Sequence, residues 1–229
     1  MPKDLPGTAA FRVAAAMEPA REIGGDYYDF IDAGDGRLRV TIGDVSGKGV
    51  PAGLFMIMAR TILRSLAVGD APLDRVLAAA NDLLESQVDD DKFMTMLLLE
   101  PGRDGRSVRL CLAGHEPPLV WRRANGGVEA LAEGGLALGM LRGIGHRLEE
   151  RLIPMESGDV LACFSDGVTE CRSASGEMFG RARLEEALAA AARGGAQSVL
   201  DSVLSAVARF RGDAERHDDM TLVVLEARP

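Results

Sequence analysis

Short apolar runs separated by hairpin-type turns constrain this chain most. Residues 37–42, Arg37-Leu38-Arg39-Val40-Thr41-Ile42, alternate like a half-buried strand, and residues 27–31 form another just before them. Asp35-Gly36 lies between the two and suits a tight hairpin turn. The pattern returns with residues 93–99 and 107–112 around Pro101-Gly102-Arg103-Asp104-Gly105, and with 119–122 and 128–131 around Asn125-Gly126-Gly127. Residues 11–16, 147–153, 160–164 and 220–226 complete the predicted strands.

Helical periodicity interrupts this series twice. Pro51 opens a predicted helix with Leu54, Phe55, Met58, Ile62 and Leu66 on one face and Arg60 and Arg64 off it. A second begins near Pro72 and carries Val76, Leu77, Ala80, Leu83 and Leu84. Two more are predicted over 181–193 and 196–211. Hairpins dictate antiparallel pairing. Two sheets packed face to face with a helix pair outside each would bury every apolar face. The expected class is therefore α+β, a four-layer αββα sandwich with two mainly antiparallel sheets, as one domain over 1–229.

Composition excludes several classes. A net charge of −9 opposes binding to a phosphate backbone, so no nucleic-acid partner is expected. The acidic run Asp89-Asp90-Asp91 reads as a solvated loop. Cys111, Cys163 and Cys171 are odd in number and widely spaced, as expected of buried thiols in a reducing compartment. The N-terminus lacks an apolar signal core, and Arg60 and Arg64 interrupt the longest apolar stretch, so no membrane span is expected and the cytoplasm is the default.

Four aspartates stand in short turn-like sequences next to these runs. Asp26 follows Gly24-Gly25, Asp44 lies in Gly43-Asp44-Val45-Ser46-Gly47-Lys48-Gly49, Asp166 in Ser165-Asp166-Gly167, and Asp218 in His217-Asp218-Asp219-Met220-Thr221. Each is weak alone. Together, sequence-distant carboxylates at strand ends can converge on one sheet rim, where their oxygens suit hard divalent cations. Lys48 lies in a spacing one residue short of a phosphate-binding loop, with no Ser or Thr after it, so that reading is rejected.

The chain resembles the metal-dependent PPM-type serine/threonine phosphatases, in the bacterial branch typified by SpoIIE and RsbU. The matching segments are residues 19–29, 43–52, 113–118, 165–170 and 218–221, in family order and across nearly the whole chain. The resemblance implies the αββα sandwich and two ions, Mn²⁺ or Mg²⁺. Asp44 would bridge them, the Val45 carbonyl would be an added ligand, and Asp26, Asp166 and Asp218 would complete the set. A water activated by the ions would attack phosphorus in line. Asp219 is a carboxylate that supports the ligands from behind, an outer ligand, or a turn acid that caps local N–H groups. Asp29 is a ligand partner or a solvated strand residue, and the solvated reading is favoured. Arg21, five residues ahead of Asp26, is a candidate phosphate contact by bidentate pairing or a surface arginine.

Eukaryotic members carry a histidine just after the bridging aspartate, where this chain has Val45-Ser46. His115 is a possible substitute acid, or a structural histidine beside Pro117-Pro118. The branch implies a phosphorylated STAS-type anti-sigma factor antagonist as substrate, docking near residues 113–118 or 133–146, and an upstream sensor or receiver domain. The competing readings are a catalytically inactive phosphatase fold used for binding, and a hydrolase of small phosphate esters.

Overall fold

All the paired strands of the computed structural model, which describes residues 8–20, 24–86 and 92–228, are antiparallel, and the predicted hairpin turns at residues 35–36, 101–105 and 125–127 each join two of them. In chain order the elements are β1 (Phe11–Glu18), β2 (Tyr27–Gly34), β3 (Arg37–Val45), α1 (Val50–Leu66), α2 (Leu73–Glu85), β4 (Met94–Pro101), β5 (Ser107–Ala113), β6 (Leu119–Trp121), β7 (Val128–Ala130), β8 (Glu150–Pro154), β9 (Val160–Phe164), α3 (Asp166–Thr169), α4 (Gly180–Ala191), α5 (Ala196–Arg211) and β10 (Met220–Ala227). One five-stranded sheet runs β2-β3-β4-β5-β8 and the other β1-β10-β9-β6-β7. At the first turn Asp35 and Gly36 both take positive φ, 54° and 71°, as the hairpin reading required.

The central strands explain the layering. In β4, Leu97 and Leu99 face the other sheet, while Met96 and Leu98 face α1 and α2. In β10, Val223 and Leu225 face inward, while Leu222 and Val224 pack against the layer containing α4 and α5. A strand buried on both faces loses its polar alternation, so these runs are continuously apolar. The αββα sandwich expected from the sequence is the observed fold. Cys111 and Cys163 are buried, and Cys171 is partly exposed, all as free thiols. No helix among the described residues is long and apolar enough to cross a membrane.

Several elements depart from the sequence reading. Residues 147–149 precede β8 rather than joining it, because a short 3₁₀ turn occupies Ile144–Arg147. On α1 the inward face is Ala52, Phe55, Ala59 and Leu63, with Met58, Ile62 and Leu66 only partly buried at its flank. Leu54 is 64% exposed, although it was assigned to the core stripe. The helix carries more apolar residues than one face can use, so periodicity alone misplaces the stripe. On α2, Leu83 is likewise exposed, and Asn81 takes an inward position. The Asn81 amide bonds the Leu141 carbonyl at 3.0 Å, and its oxygen accepts from the Gly139 N–H at 2.9 Å.

Two ionic clusters fix the helices to their sheet. Asp29 on β2 is fully buried, not solvated, because Arg64 and Arg60 of α1 reach it at 2.5 Å and 3.2 Å. Arg39 of β3 is also fully buried. It donates to Glu100 at 2.8 Å, to the Ala67 carbonyl at 3.3 Å and to the Ala71 carbonyl at 2.6 Å, which anchors the α1–α2 corner. Glu150 of β8 accepts from the Leu73 N–H at 2.6 Å and so caps the start of α2.

Burial alone would raise the Asp29 carboxyl, but bonds from Arg64 and Arg60 hold it below the usual carboxylate range. A depressed folded value means stabilisation that is complete above the unfolded pKa, about 3.9, and lost as pH falls through the lower folded one. Asp29→Asn should therefore cost about 1–3 kcal/mol at pH 7. The gap to wild type should narrow below about pH 4 in urea unfolding. Arg39→Leu should cost about 3–5 kcal/mol by the same measurement, because Glu100 and two carbonyls lose a buried donor.

Candidate metal centre

Strand ends of both sheets meet at one edge of the sandwich. Asp44 is the penultimate residue of β3, opposite Thr95 of β4, so the strand includes it rather than ending before it. Asp26 immediately precedes β2. Across the interface Asp166 opens α3 directly after β9, and Asp218-Asp219 lead into β10.

These carboxylates act on one another. Burial pushes Asp44 up to about 7, reinforced by the charges of Asp166 and Asp218 and opposed by a hydrogen bond with Asp26. Burial also lifts Asp26 well above the ordinary range, with Asp44 adding to the effect, while hydroxyl bonds from Thr221 and Ser165 counter it. Asp166 rises to about 6 through burial, Asp218 and Glu170. Asp26, Asp44, Asp166, Asp218 and Asp219 thus interact as one cluster, whereas Asp29 pairs with Arg60 and Arg64 instead.

The glycines before Asp26 are needed for space. A Cβ on Gly24 would fall on the Asp219 carboxylate, and one on Gly25 would meet the Val45 carbonyl oxygen at 3.0 Å and Asp44 Oδ1 at 3.2 Å. The Val45 N–H donates to the Gly25 carbonyl at 3.4 Å, which ties the Val45 backbone to this segment.

Asp219 organises that segment from the opposite sheet. Its Oδ1 accepts from the Ala20 N–H at 2.7 Å, and its Oδ2 accepts from the N–H groups of Gly25 at 2.7 Å and Asp26 at 3.3 Å. It does cap backbone N–H groups, but nearly two hundred residues away rather than locally. Asp218 is held by Lys48, whose Nζ lies 2.8 Å from Oδ2 and 2.5 Å from the His217 carbonyl oxygen. Lys48 therefore serves the acidic rim as counter-charge.

His115 is buried behind Asp44. Its Nδ1 meets Thr95 Oγ1 at 2.9 Å, and that hydroxyl is 3.4 Å from the Asp44 carbonyl oxygen. Burial pushes its pKa down to about 4, so it is neutral at neutral pH and fits the structural reading. Arg21 lies outside the described residues, as does the run Asp89-Asp90-Asp91. The loops nominated for docking touch where the Gly114 N–H donates to the Gly134 carbonyl at 3.0 Å, and the second is tied to β4 where Leu138 exchanges backbone bonds with Met94.

Sequence reasoning gave Ser165 and Thr221 no role, yet both hydroxyls bond Asp26. A signal was present, since Asp219 and Thr221 are two apart and so point to one side of an extended chain.

Among the described residues, no three His, Cys, Asp or Glu side chains are grouped closely enough to hold an ion by themselves. The charge pattern weighs more. Mg²⁺ keeps several waters and is held by one or two carboxylates, so three side chains are not required. Neighbouring acids raise the proton affinity of Asp26, Asp44 and Asp166, while Lys48 pairs with Asp218, so the remaining negative charge favours a cation. Every nominated donor is a hard oxygen, and both properties fit Mg²⁺ or Mn²⁺.

The model of the family described as Stage II sporulation protein E (SpoIIE) matches residues 34–228. Phosphoserine phosphatase RsbU of Bacillus subtilis (strain 168) is 30% identical over 224 residues, covering 98% of this chain and 65% of RsbU. The structure of the RsbU and RsbW domains of a Mycobacterium tuberculosis protein superposes with a TM-score of 0.83 at 27% identity, over 97% of this chain and 61% of that one. The catalytic domain of serine threonine protein phosphatase PstP, solved with 2 manganese ions, shares the fold at a TM-score of 0.67 and 19% identity, over 96% of this chain and 99% of that one. The chain thus spans less than two thirds of RsbU and of the mycobacterial protein. With the family model matched over residues 34–228, well over half of the chain, on this sandwich, the chain belongs to the SpoIIE family.

Proposed function

We propose that this chain is a metal-dependent protein-serine/threonine phosphatase acting as a single domain. The observation that carries the reading is the meeting of Asp26 and Asp44 from one sheet with Asp166 and Asp218 from the other, each charge felt by its neighbours. The name of RsbU, phosphoserine phosphatase, and the manganese ions of PstP support it.

In this reading Asp26, Asp44, Asp166 and Asp218, with the Val45 carbonyl, would hold two Mn²⁺ or Mg²⁺ ions. Asp44 would be central to that set and is the proposed bridge, a role supported by its interactions with Asp26, Asp166, Asp218 and Asp219. Asp219 contributes mainly by holding the backbone of 24–26, and a direct ligand role for it is secondary. When bound, the ions supply Lewis acidity, which activates water and offsets phosphoryl charge. Lys48 pairs with Asp218 Oδ2 and would offset its charge when no ion is bound. Arg21 remains the proposed phosphate contact.

The proposed substrate is a phosphorylated STAS-type anti-sigma factor antagonist, in the cytoplasm, with control from an adjoining sensor or receiver domain. The pairing of RsbU with RsbW in the mycobacterial protein supports that setting. The segments around residues 113–118 and 133–146 are the proposed docking surface. Met140 and Leu141 are exposed there, and Glu116 pairs with Arg181 at 3.5 Å.

Phosphate release from a phosphorylated STAS protein and from p-nitrophenyl phosphate, with and without Mn²⁺, tests the reading. Wild type should release phosphate from the protein only with Mn²⁺, and chelation should abolish this. Asp44→Ala should lose nearly all activity while keeping its circular dichroism spectrum. Equal activity in both proteins rejects Asp44 as the bridge. Preference for the small ester favours the ester hydrolase, and silence on both substrates favours the binding module.

A further inference from the structure

Asp26 enters the site from the sheet containing β2, yet its carboxylate is gripped by the other sheet. Ser165, which follows β9, donates its hydroxyl to Asp26 Oδ2 at 2.7 Å. Thr221 of β10 donates its hydroxyl to the same oxygen at 2.6 Å. The Thr221 N–H donates to Ser165 Oγ at 3.0 Å, which occupies an accepting side of that hydroxyl and leaves its proton for Asp26. The Ser165 N–H donates back to the Thr221 carbonyl at 3.0 Å, so the two donors are themselves locked together. All three side chains are buried.

A carboxylate oxygen offers two lone-pair sites, and two donors saturate Oδ2. The contact with the Asp44 carboxyl then falls to Oδ1, which makes Oδ1 the oxygen that a cation between the two acids would take. The Asp26 N–H bond to Asp219 Oδ2 fixes the backbone from the same side, so the side chain has little freedom to exchange its oxygens. We infer that Ser165 and Thr221 are positioning residues that hold Asp26 as a one-oxygen ligand through Oδ1. The inference rests on the metal-dependent reading of this rim. It assigns the hydroxyls a task beyond satisfying a buried acid, since hydrogen bonds to a ligating carboxylate set its orientation and hence the affinity of the site.

Calorimetric titration of Mn²⁺ into the full chain, without substrate, tests it with Thr221→Val, Thr221→Ser and Ser165→Ala. Thr221→Val keeps the shape and removes the hydroxyl, and it should weaken Mn²⁺ binding about 10-fold or more. Ser165→Ala should weaken it in the same direction and carries the test if the valine variant does not fold. Thr221→Ser restores the donor and should bind within about 3-fold of wild type. Thermal unfolding without metal records any purely structural cost separately. Wild-type affinity in both Thr221→Val and Ser165→Ala, whatever their thermal stability, overturns the inference while leaving the metal reading intact. A wild-type chain that binds no Mn²⁺ removes both.

Discussion

Like charge held in a partly desolvated rim is the constraint on which the rest of this structure depends. Asp26, Asp44 and Asp166 are each lifted above the ordinary carboxylate range by burial first and then by neighbouring acids, Asp44 beside Asp26, Asp166 and Asp218 beside Asp44, and Asp218 and Glu170 beside Asp166. Left to themselves, such groups would separate or take up protons. They stay together because the backbone carrying them is fixed by unrelated forces. Three apolar layers, one between the sheets and one beneath each helix pair, set the strand ends in place. The site is locally unfavourable and globally supported, the pattern expected where a fold concedes stability to chemistry.

The support is directional as well as apolar. Asp219 reaches across the sandwich to the N–H groups of Gly25 and Asp26, and the bare backbone of Gly24 makes that approach sterically possible. Asp29 and Arg39 do comparable work behind the rim. The first ties α1 to β2 through Arg60 and Arg64, and the second ties the α1–α2 corner to β3. Both are charges taken fully out of water, so each depends on complete pairing.

Much of this was legible in the sequence, and the exceptions share a cause. Turns such as Asp35-Gly36 and Asn125-Gly126-Gly127 are local, so they announce the strands on either side of them. The Gly-Gly before Asp26 and the Asp-Asp before β10 are also local, and they identify the cluster. What local reading could not supply is the partner. Asp29 looks like a solvated strand acid until Arg64, thirty-five residues later, is found beside it. Leu54 looks like core until Ala52, Ala59 and Leu63 are seen to face the sheet in its place. Asp219 looks like a turn acid until its distant amides are known, and Ser165 has no evident role until its hydroxyl is found on Asp26.

Dividing the nominated ligands between two sheets has a physical consequence. Asp26 and Asp44 move with β2 and β3, and Asp166 and Asp218 move with β9 and β10. A shift of one sheet over the other would change the ligand separation directly, without unfolding anything. The bonds from Ser165, Thr221 and Asp219 to the segment around Asp26 oppose that shift at the rim itself. If these acids hold ions as proposed, alignment of the two sheets and competence of the site would be one variable, and the polar contacts that cross the interface at its edge would help set it.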